Sequence, residues 1–148
     1  MRSVRTAIAI QAPVDVVWRV LIDVPGYNRW NPFLTYLGGA VQEGADLEFK
    51  ISLPGAWSTK ARTRVLTIDP QREFAWLGHF LNTPGLIDGH HRFRLAARGP
   101  SETTVSHEED FRGALLPFLG WFTTTYIRRG MLAMDPRLKQ EAERLARP

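Results

Sequence analysis

Residues 3–21 read SVRTAIAIQAPVDVVWRVL, and the apolar period changes within them. Over 3–11, Val4, Thr6, Ile8 and Ile10 fall on alternate positions, the pattern of a strand with one buried face. After Ala12-Pro13, Val14, Val17, Trp18 and Leu21 recur at i, i+3, i+4 and i+7, which places them on one stripe of a helix. Pro13 suits the first helical position, where φ near the helical value is useful and the missing N–H has no intrahelical partner. Asp23-Val24-Pro25-Gly26 closes this helix, and a short turn leads to Trp30-Asn31-Pro32.

From there to Gly113 the period is two. Leu47, Phe49, Ile51 and Leu53 alternate with Asp46, Glu48, Lys50 and Ser52, an antiparallel strand with one apolar face. Thr59, Ala61, Thr63 and Val65 follow the break at Pro54-Gly55, and Phe74, Trp76, Gly78 and Phe80 follow Asp69-Pro70. Residues 87–98 and 102–113 make two more strands, joined at Gly99-Pro100-Ser101, and Gly38-Gly39 reads as a bend or bulge. Residues 114–147 form a helix of about 50 Å if unbroken. Asp135-Pro136 has the form of a cap and first-turn proline, so a kink or restart is expected there. One strand, one or two short helices, about six strands and a long helix is an α+β order, with the helices on one face of an antiparallel sheet.

The chain has 148 residues, 44% hydrophobic and 23% charged, which predicts one globular domain over 1–148. Cysteine is absent, which excludes thiol nucleophiles, redox pairs and zinc ribbons and fits a reducing, cytoplasmic setting. The formal charge is +4, but the basic residues are spread along the chain, so no nucleic-acid partner is expected. Residues 1–5 lead into alternation rather than into the apolar core of a signal peptide. Residues 113–127 carry no charge, but as a helix they would span only about 22 Å of a roughly 30 Å hydrocarbon layer. A buried core helix, with Trp121 at its edge, is expected in place of stable membrane insertion. Serine-hydrolase, P-loop, dinucleotide and zincin motifs are all missing, and no cofactor or metal is expected. Five Trp, eight Phe and three Tyr are more rings than one small core requires.

The hairpin around Pro100 can be placed in register. Directly opposed residues share a face, so paired numbers sum to an even value, and a short turn makes that sum 200. His91 then faces Glu109, Phe93 faces His107 and Leu95 faces Val105 on the inner side, with Phe111 on the same face. Arg92 with Glu108, and His90 with Asp110, become cross-strand pairs on the solvent side, each worth under about 1 kcal/mol. Polar groups buried on the inner face need partners. His91, His107 and Glu109 can form a satisfied imidazole–carboxylate set, or supply the few polar groups of an apolar pocket. A two-His-one-carboxylate metal site is disfavoured because nothing fixes its facial geometry.

Several segments resemble the SRPBCC superfamily, which includes START domains, the birch-pollen allergen fold and polyketide cyclase/dehydrase-like proteins. They are Ala12-Pro13-Val14-Asp15-Val16-Val17-Trp18, Tyr27-Asn28-Arg29-Trp30-Asn31-Pro32-Phe33, Asp69-Pro70-Gln71-Arg72-Glu73-Phe74-Ala75-Trp76, His91-Arg92-Phe93 and His107-Glu108-Glu109-Asp110-Phe111-Arg112-Gly113. The resemblance covers nearly the whole chain. It implies a helix-grip fold, a seven-stranded curved antiparallel sheet around the C-terminal helix, with two short helices after strand 1 and a hydrophobic cavity between. Trp30, Asn31, Trp76, His91 and Glu109 look like the cyclase-like branch, and the similarity implies that they lie near a pocket.

The reading that follows is a protein that binds a hydrophobic or aromatic small molecule in an internal cavity. Its walls are expected from Phe49, Trp76, Phe93 and Phe111 on the sheet and Phe118, Phe122 and Tyr126 on the helix, with His107 beside them. The alternative is a cyclase, aromatase or dehydratase in which His91 and Glu109 move protons. A third class, an interaction module acting on a chaperone ATPase, would need an exposed docking patch.

Overall fold

The computed structural model describes residues 1–148. Strand β1 (Arg2–Ile10) is followed by α1 (Val14–Ile22), a 3₁₀ turn (Val24–Gly26) and the one-turn helix α2 (Tyr27–Trp30). Next come β2 (Leu34–Gly39), β3 (Asp46–Ser52), β4 (Ser58–Asp69) and β5 (Glu73–His79), a second 3₁₀ turn (Phe80–Asn82), β6 (Asp88–Gly99), β7 (Glu102–Arg112) and α3 (Leu116–Ala146). The strands form one antiparallel seven-stranded sheet in the order β1-β7-β6-β5-β4-β3-β2. The two short helices carry the chain from one edge strand to the other, after which hairpins return it to β1. This is the helix-grip arrangement that the sequence resemblance implies.

Local chemistry explains the joints. Asp23 Oδ1 accepts from Gly26 N at 3.3 Å, and the buried Tyr27 hydroxyl donates to Leu21 O at 2.6 Å, which folds the turn back on α1. Asn31 Oδ1 accepts from the backbone N–H of Phe33 and Leu34 at 2.9 and 3.0 Å, turning the chain out of α2 into β2. Gly39, at φ +103°, follows a bulge between Tyr36 and Gly38, where a Cβ would lie 2.1 Å from Asp46 O.

The core lies between the sheet and the C-terminal half of α3. Tyr27, Phe33, Phe49, Phe74 and Phe93 meet Met131, Met134 and Leu138 there, all fully buried. Burial of each such side chain stabilises the fold by roughly 1.5–3 kcal/mol. Gly130 lets α3 approach β2, since a Cβ there would lie 2.2 Å from the Phe33 ring.

Four expectations are corrected. α3 runs through Asp135-Pro136 without a restart: Pro136 removes one donor, but the buried Met131, Met134 and Leu138 hold both sides on the sheet. Phe80 leaves the strand for the 3₁₀ turn that follows β5. The first turns of α3 are only partly core: Leu116 is buried in it, but Phe118 is 82% and Trp121 70% exposed. On the outer face, Arg92 is only 8% exposed and bonds Glu108 at 2.9 Å and Asp110 at 2.7 Å. Those two carboxylates hold its guanidinium above the usual range, against the opposing and larger single effect of burial. The charged face is therefore built around one buried guanidinium and is not a row of separate exposed pairs.

Candidate functional site

A cavity of about 350 Å³ opens between the sheet and the N-terminal half of α3. Phe49, Trp76 and Phe111 line it from the sheet, and Phe122 and Tyr126 from the helix. Its mouth lies where lining residues reach solvent, at Trp57 in the β3–β4 connection, at Phe80 and Leu81 after β5, and at Leu119 of α3.

The hairpin pairing is the one the parity argument requires: His91 opposite Glu109, Phe93 opposite His107, Leu95 opposite Val105. It places His91 and Glu109 in the cavity wall. Trp76, paired with His91 across β5 and β6, stacks on its ring at 4.5 Å between centroids and 3° between planes, which fixes the imidazole's orientation. His91 Nδ1 lies 3.0 Å from Glu109 Oε2, and His91 Nε2 lies 2.8 Å from His107 Nε2. His107 Nδ1 lies 2.7 Å from Asp135 Oδ1, and Thr6 Oγ1 donates to Asp135 Oδ2 at 2.5 Å. The result is a continuous chain from the cavity wall to a buried carboxylate: Glu109, His91, His107, Asp135.

Donor counting sets its protons. Two carboxylates and four ring nitrogens meet in three contacts, and each contact holds one proton. Burial pushes His107 below the usual imidazole range, against the opposing pull of Asp135. Neutral His107 donates through Nδ1 to Asp135 and accepts at Nε2, so His91 Nε2 carries a proton. The last proton then sits on the Glu109–His91 contact, on the cavity side of the chain. Glu109 Oε1 has no hydrogen-bond partner within the protein and lies over Gly89, also part of the wall, where a Cβ would come within 2.5 Å of it. The arrangement leaves one free carboxylate oxygen facing an apolar space, with the proton of the Glu109–His91 contact behind it.

The expected site residues separate into two sets. Phe49, Trp76, His91, Glu109, Phe111, Phe122 and Tyr126 line the cavity. Phe93 and His107 lie a layer deeper, fully buried, with ring centroids 4.4 Å apart. Trp30 packs edge-on against Tyr27 at 5.2 Å and Asn31 serves the turn, both away from the cavity. Phe118, one turn before Phe122 on the same stripe of α3, is 82% exposed and lies beyond the end of the cavity lining. Asp135 was not anticipated. Its signal was present: a lone carboxylate on the apolar stripe Met131, Met134, Leu138 and Ala142, a position that burial makes costly without a partner.

A curved sheet gripping a long helix around a cavity is the helix-grip fold of START-like proteins. The chain belongs to the family described as polyketide cyclase / dehydrase and lipid transport, whose model matches residues 1–147. Among solved structures, it is similar to the Zhui aromatase/cyclase from Streptomyces sp. R1128, at 23% identity and TM-score 0.80 over 99% of this chain and 96% of that one. It is similar to a START superfamily protein from Mycobacterium smegmatis, at 17% identity and TM-score 0.76 over 97% and 98%. A norcoclaurine synthase from Thalictrum flavum aligns at 11% identity and TM-score 0.73 over 97% and 95%. Identities this low establish the fold alone. No curated protein matches the chain in sequence. No helix is long and apolar enough to cross a membrane.

Proposed function

We propose that the protein binds an apolar or aromatic small molecule in the cavity and exchanges a proton with it through Glu109, the chemistry of a cyclase, aromatase or dehydratase. One observation carries the reading: Glu109 presents an unpartnered Oε1 toward the cavity while its Oε2 joins a hydrogen-bonded chain that ends at buried Asp135. A structural ion pair would not need a free oxygen in an apolar wall.

The cavity volume is near the lower end of the range for small-molecule sites, about 300–1,000 Å³, which suits a compact ligand of a few rings. Trp76 and Phe49, 5.1 Å apart, and Phe122 and Tyr126, 4.5 Å apart, offer ring faces on opposite walls. Glu109 takes a proton from an acidic carbon beside a carbonyl of the ligand. In a dehydration the same proton returns to a departing hydroxyl and leaves as water, so the protein ends as it began. His91 steadies the carboxylate and shares its proton, and His107 and Asp135 hold His91 in the required tautomer. Positioned general acid–base groups contribute roughly 10²–10⁴-fold.

The test uses an aryl ketone such as 2-tetralone as the probe. Tryptophan fluorescence, to which the cavity-lining Trp57 and Trp76 contribute, reports binding, and exchange of the ketone's α-hydrogens into deuterium oxide reports proton transfer. Glu109→Gln keeps the shape and is expected to bind within about threefold of the parent while exchange falls by about 10² or more. Exchange at the parent rate in Glu109→Gln would end the proposal. Binding without any exchange by the parent protein would reduce the reading to a carrier, for which the internally satisfied ring nitrogens of His91 and His107 are the supporting observation.

A further inference from the structure

Four large apolar side chains stand exposed on the segments that frame the cavity mouth, Trp57 and Leu81 in its lining and Phe118 and Trp121 on α3 to either side of Leu119. Phe118 is 82% exposed, Trp121 70%, Leu81 69% and Trp57 56%. They come from three segments that are tied together. Trp57 stacks on Phe122 of α3 at 5.2 Å, while Ala114 N and Leu115 N, at the start of α3, donate to Gly85 O and Leu86 O. Leu81 and Asn82 both adopt left-handed backbone, at φ 53° and 52°, a conformation unfavourable for residues with side chains, and this turn directs Leu81 outward. Asn82 Oδ1 accepts from Arg62 N at 3.0 Å and holds the turn.

The charges in these segments have one sign. Residues 53–64, 80–87 and 113–134 contain Lys60, Arg62, Arg64, Arg128 and Arg129 and no Asp or Glu. Arg62 and Arg64 pair with Glu48 and Asp46. Lys60 and Arg128 have no carboxylate partner, and Arg129 lies over the Tyr126 ring at 4.8 Å. Between Arg128, Arg129, Ser3, Thr124 and Thr125 there is an open recess beside α3, and Arg129 also reaches the β3–β4 connection, where a Cβ at Gly55 would lie 3.3 Å from its guanidinium.

We propose that this end of the molecule docks on an anionic phospholipid bilayer, with Phe118, Trp121, Leu81 and Trp57 entering the interface and Lys60, Arg128 and Arg129 meeting headgroup phosphates. Exposed Trp and Phe with flanking cations fit the boundary between headgroups and acyl chains. The side chains stand as separate knobs from two loops and a helix end, so they suit a deformable surface better than the fixed relief of a protein. A second copy of the chain would bring like charges together. The inference extends the proposed function, because a cavity whose mouth faces a bilayer takes an apolar ligand from it without passage through water.

Vesicle co-sedimentation tests it with the intact protein, comparing phosphatidylcholine vesicles with vesicles containing about 30% phosphatidylglycerol. Phe118→Ser/Trp121→Ser and Arg128→Glu alter exposed residues outside the cavity lining. The parent is expected to partition onto the anionic vesicles only, with loss at about 1 M salt, where the Debye length is about 3 Å. The double variant is expected to lose about tenfold or more of that partitioning and Arg128→Glu several-fold, with unchanged 2-tetralone binding. No vesicle binding, or binding indifferent to all three substitutions, would overturn the proposal. So would sedimentation showing that Phe118 and Trp121 bury each other in a dimer. Ketone binding in solution is measured separately, so failure on vesicles leaves the cavity reading standing, and failure of ketone binding leaves the docking result standing.

Discussion

Asp135 lies far enough from the ligand space to test the hydrogen-bonded chain without altering the cavity wall. It is 4% exposed, accepts from Thr6 Oγ1 at 2.5 Å and meets His107 Nδ1 at 2.7 Å. Asp135→Asn can keep both contacts: the amide oxygen accepts from His107 and the amide nitrogen donates to Thr6. What is lost is the charge assistance, the difference between a hydrogen bond to a charged group and a neutral one, about 1–2 kcal/mol. Asp135→Ala instead leaves a buried imidazole N–H and a hydroxyl without partners beside a small void. Each buried donor left without a partner in this way costs about 1–3 kcal/mol, and the void adds to that. For a domain of this size each kcal/mol lowers Tm by roughly 2–5 °C, so Ala should melt about 10 °C or more below the parent and Asn only a few degrees below it. Near-ultraviolet circular dichroism on heating at neutral pH separates them. If Asp135→Ala melts within a degree or two of the parent, Asp135 is not the buried end of the chain and the proton assignment of His107 loses its support.

Acidification should have a distinct signature. The folded-state His107 is held below its usual range by burial, so below about pH 6.5 the unfolded chain takes up a proton that the folded protein does not. Stability should therefore fall as pH drops from about 6.5 toward the depressed folded value, by up to about 1.4 kcal/mol per pH unit, and urea unfolding at several pH values measures the slope. His90, also lowered by burial, adds to the same window, whereas Asp88, Asp110, Glu141 and Glu143 are held low and lose their contribution only in the carboxylate range. His107→Gln should flatten the upper window, and an unchanged slope would contradict the neutral imidazole. Gly89→Ala should push Glu109 aside, since its Cβ would lie 2.5 Å from Oε1, costing about 1–3 kcal/mol and most of the ketone exchange. Full activity in that variant would place the free oxygen elsewhere.

The residues show which parts of this molecule were legible in its sequence. The inner-face set His91, His107 and Glu109 could be read because a tight turn and the two-residue period of a strand leave only one parity. Asp135 could not be paired with His107 in the same way. Its proline neighbour imitates a helix start, and its partner depends on where a 31-residue helix crosses the sheet. The same crossing decides why Phe122 and Tyr126 face the cavity and Phe118 does not. Asn31 stands in a family-like motif and closes a turn through two backbone hydrogen bonds to its Oδ1, while its buried Nδ2 has no partner within the protein. Arg92 looked like one member of a surface pair, and became buried because Glu108 and Asp110 both converge on it.

The central claim is that Glu109, His91, His107 and Asp135 share protons along one chain that reaches the cavity. Nitrogen-15 NMR of protein labelled at histidine measures this directly, through the protonation of each ring nitrogen and the coupling across the contact between the two Nε2 atoms. The predicted result is a single proton shared between His91 Nε2 and His107 Nε2, with Nδ1 of His107 protonated. The His91 Nδ1 signal should shift when 2-tetralone fills the cavity and respond differently in Glu109→Gln. Two uncoupled imidazoles, or a His91 signal indifferent to the ketone, would contradict it.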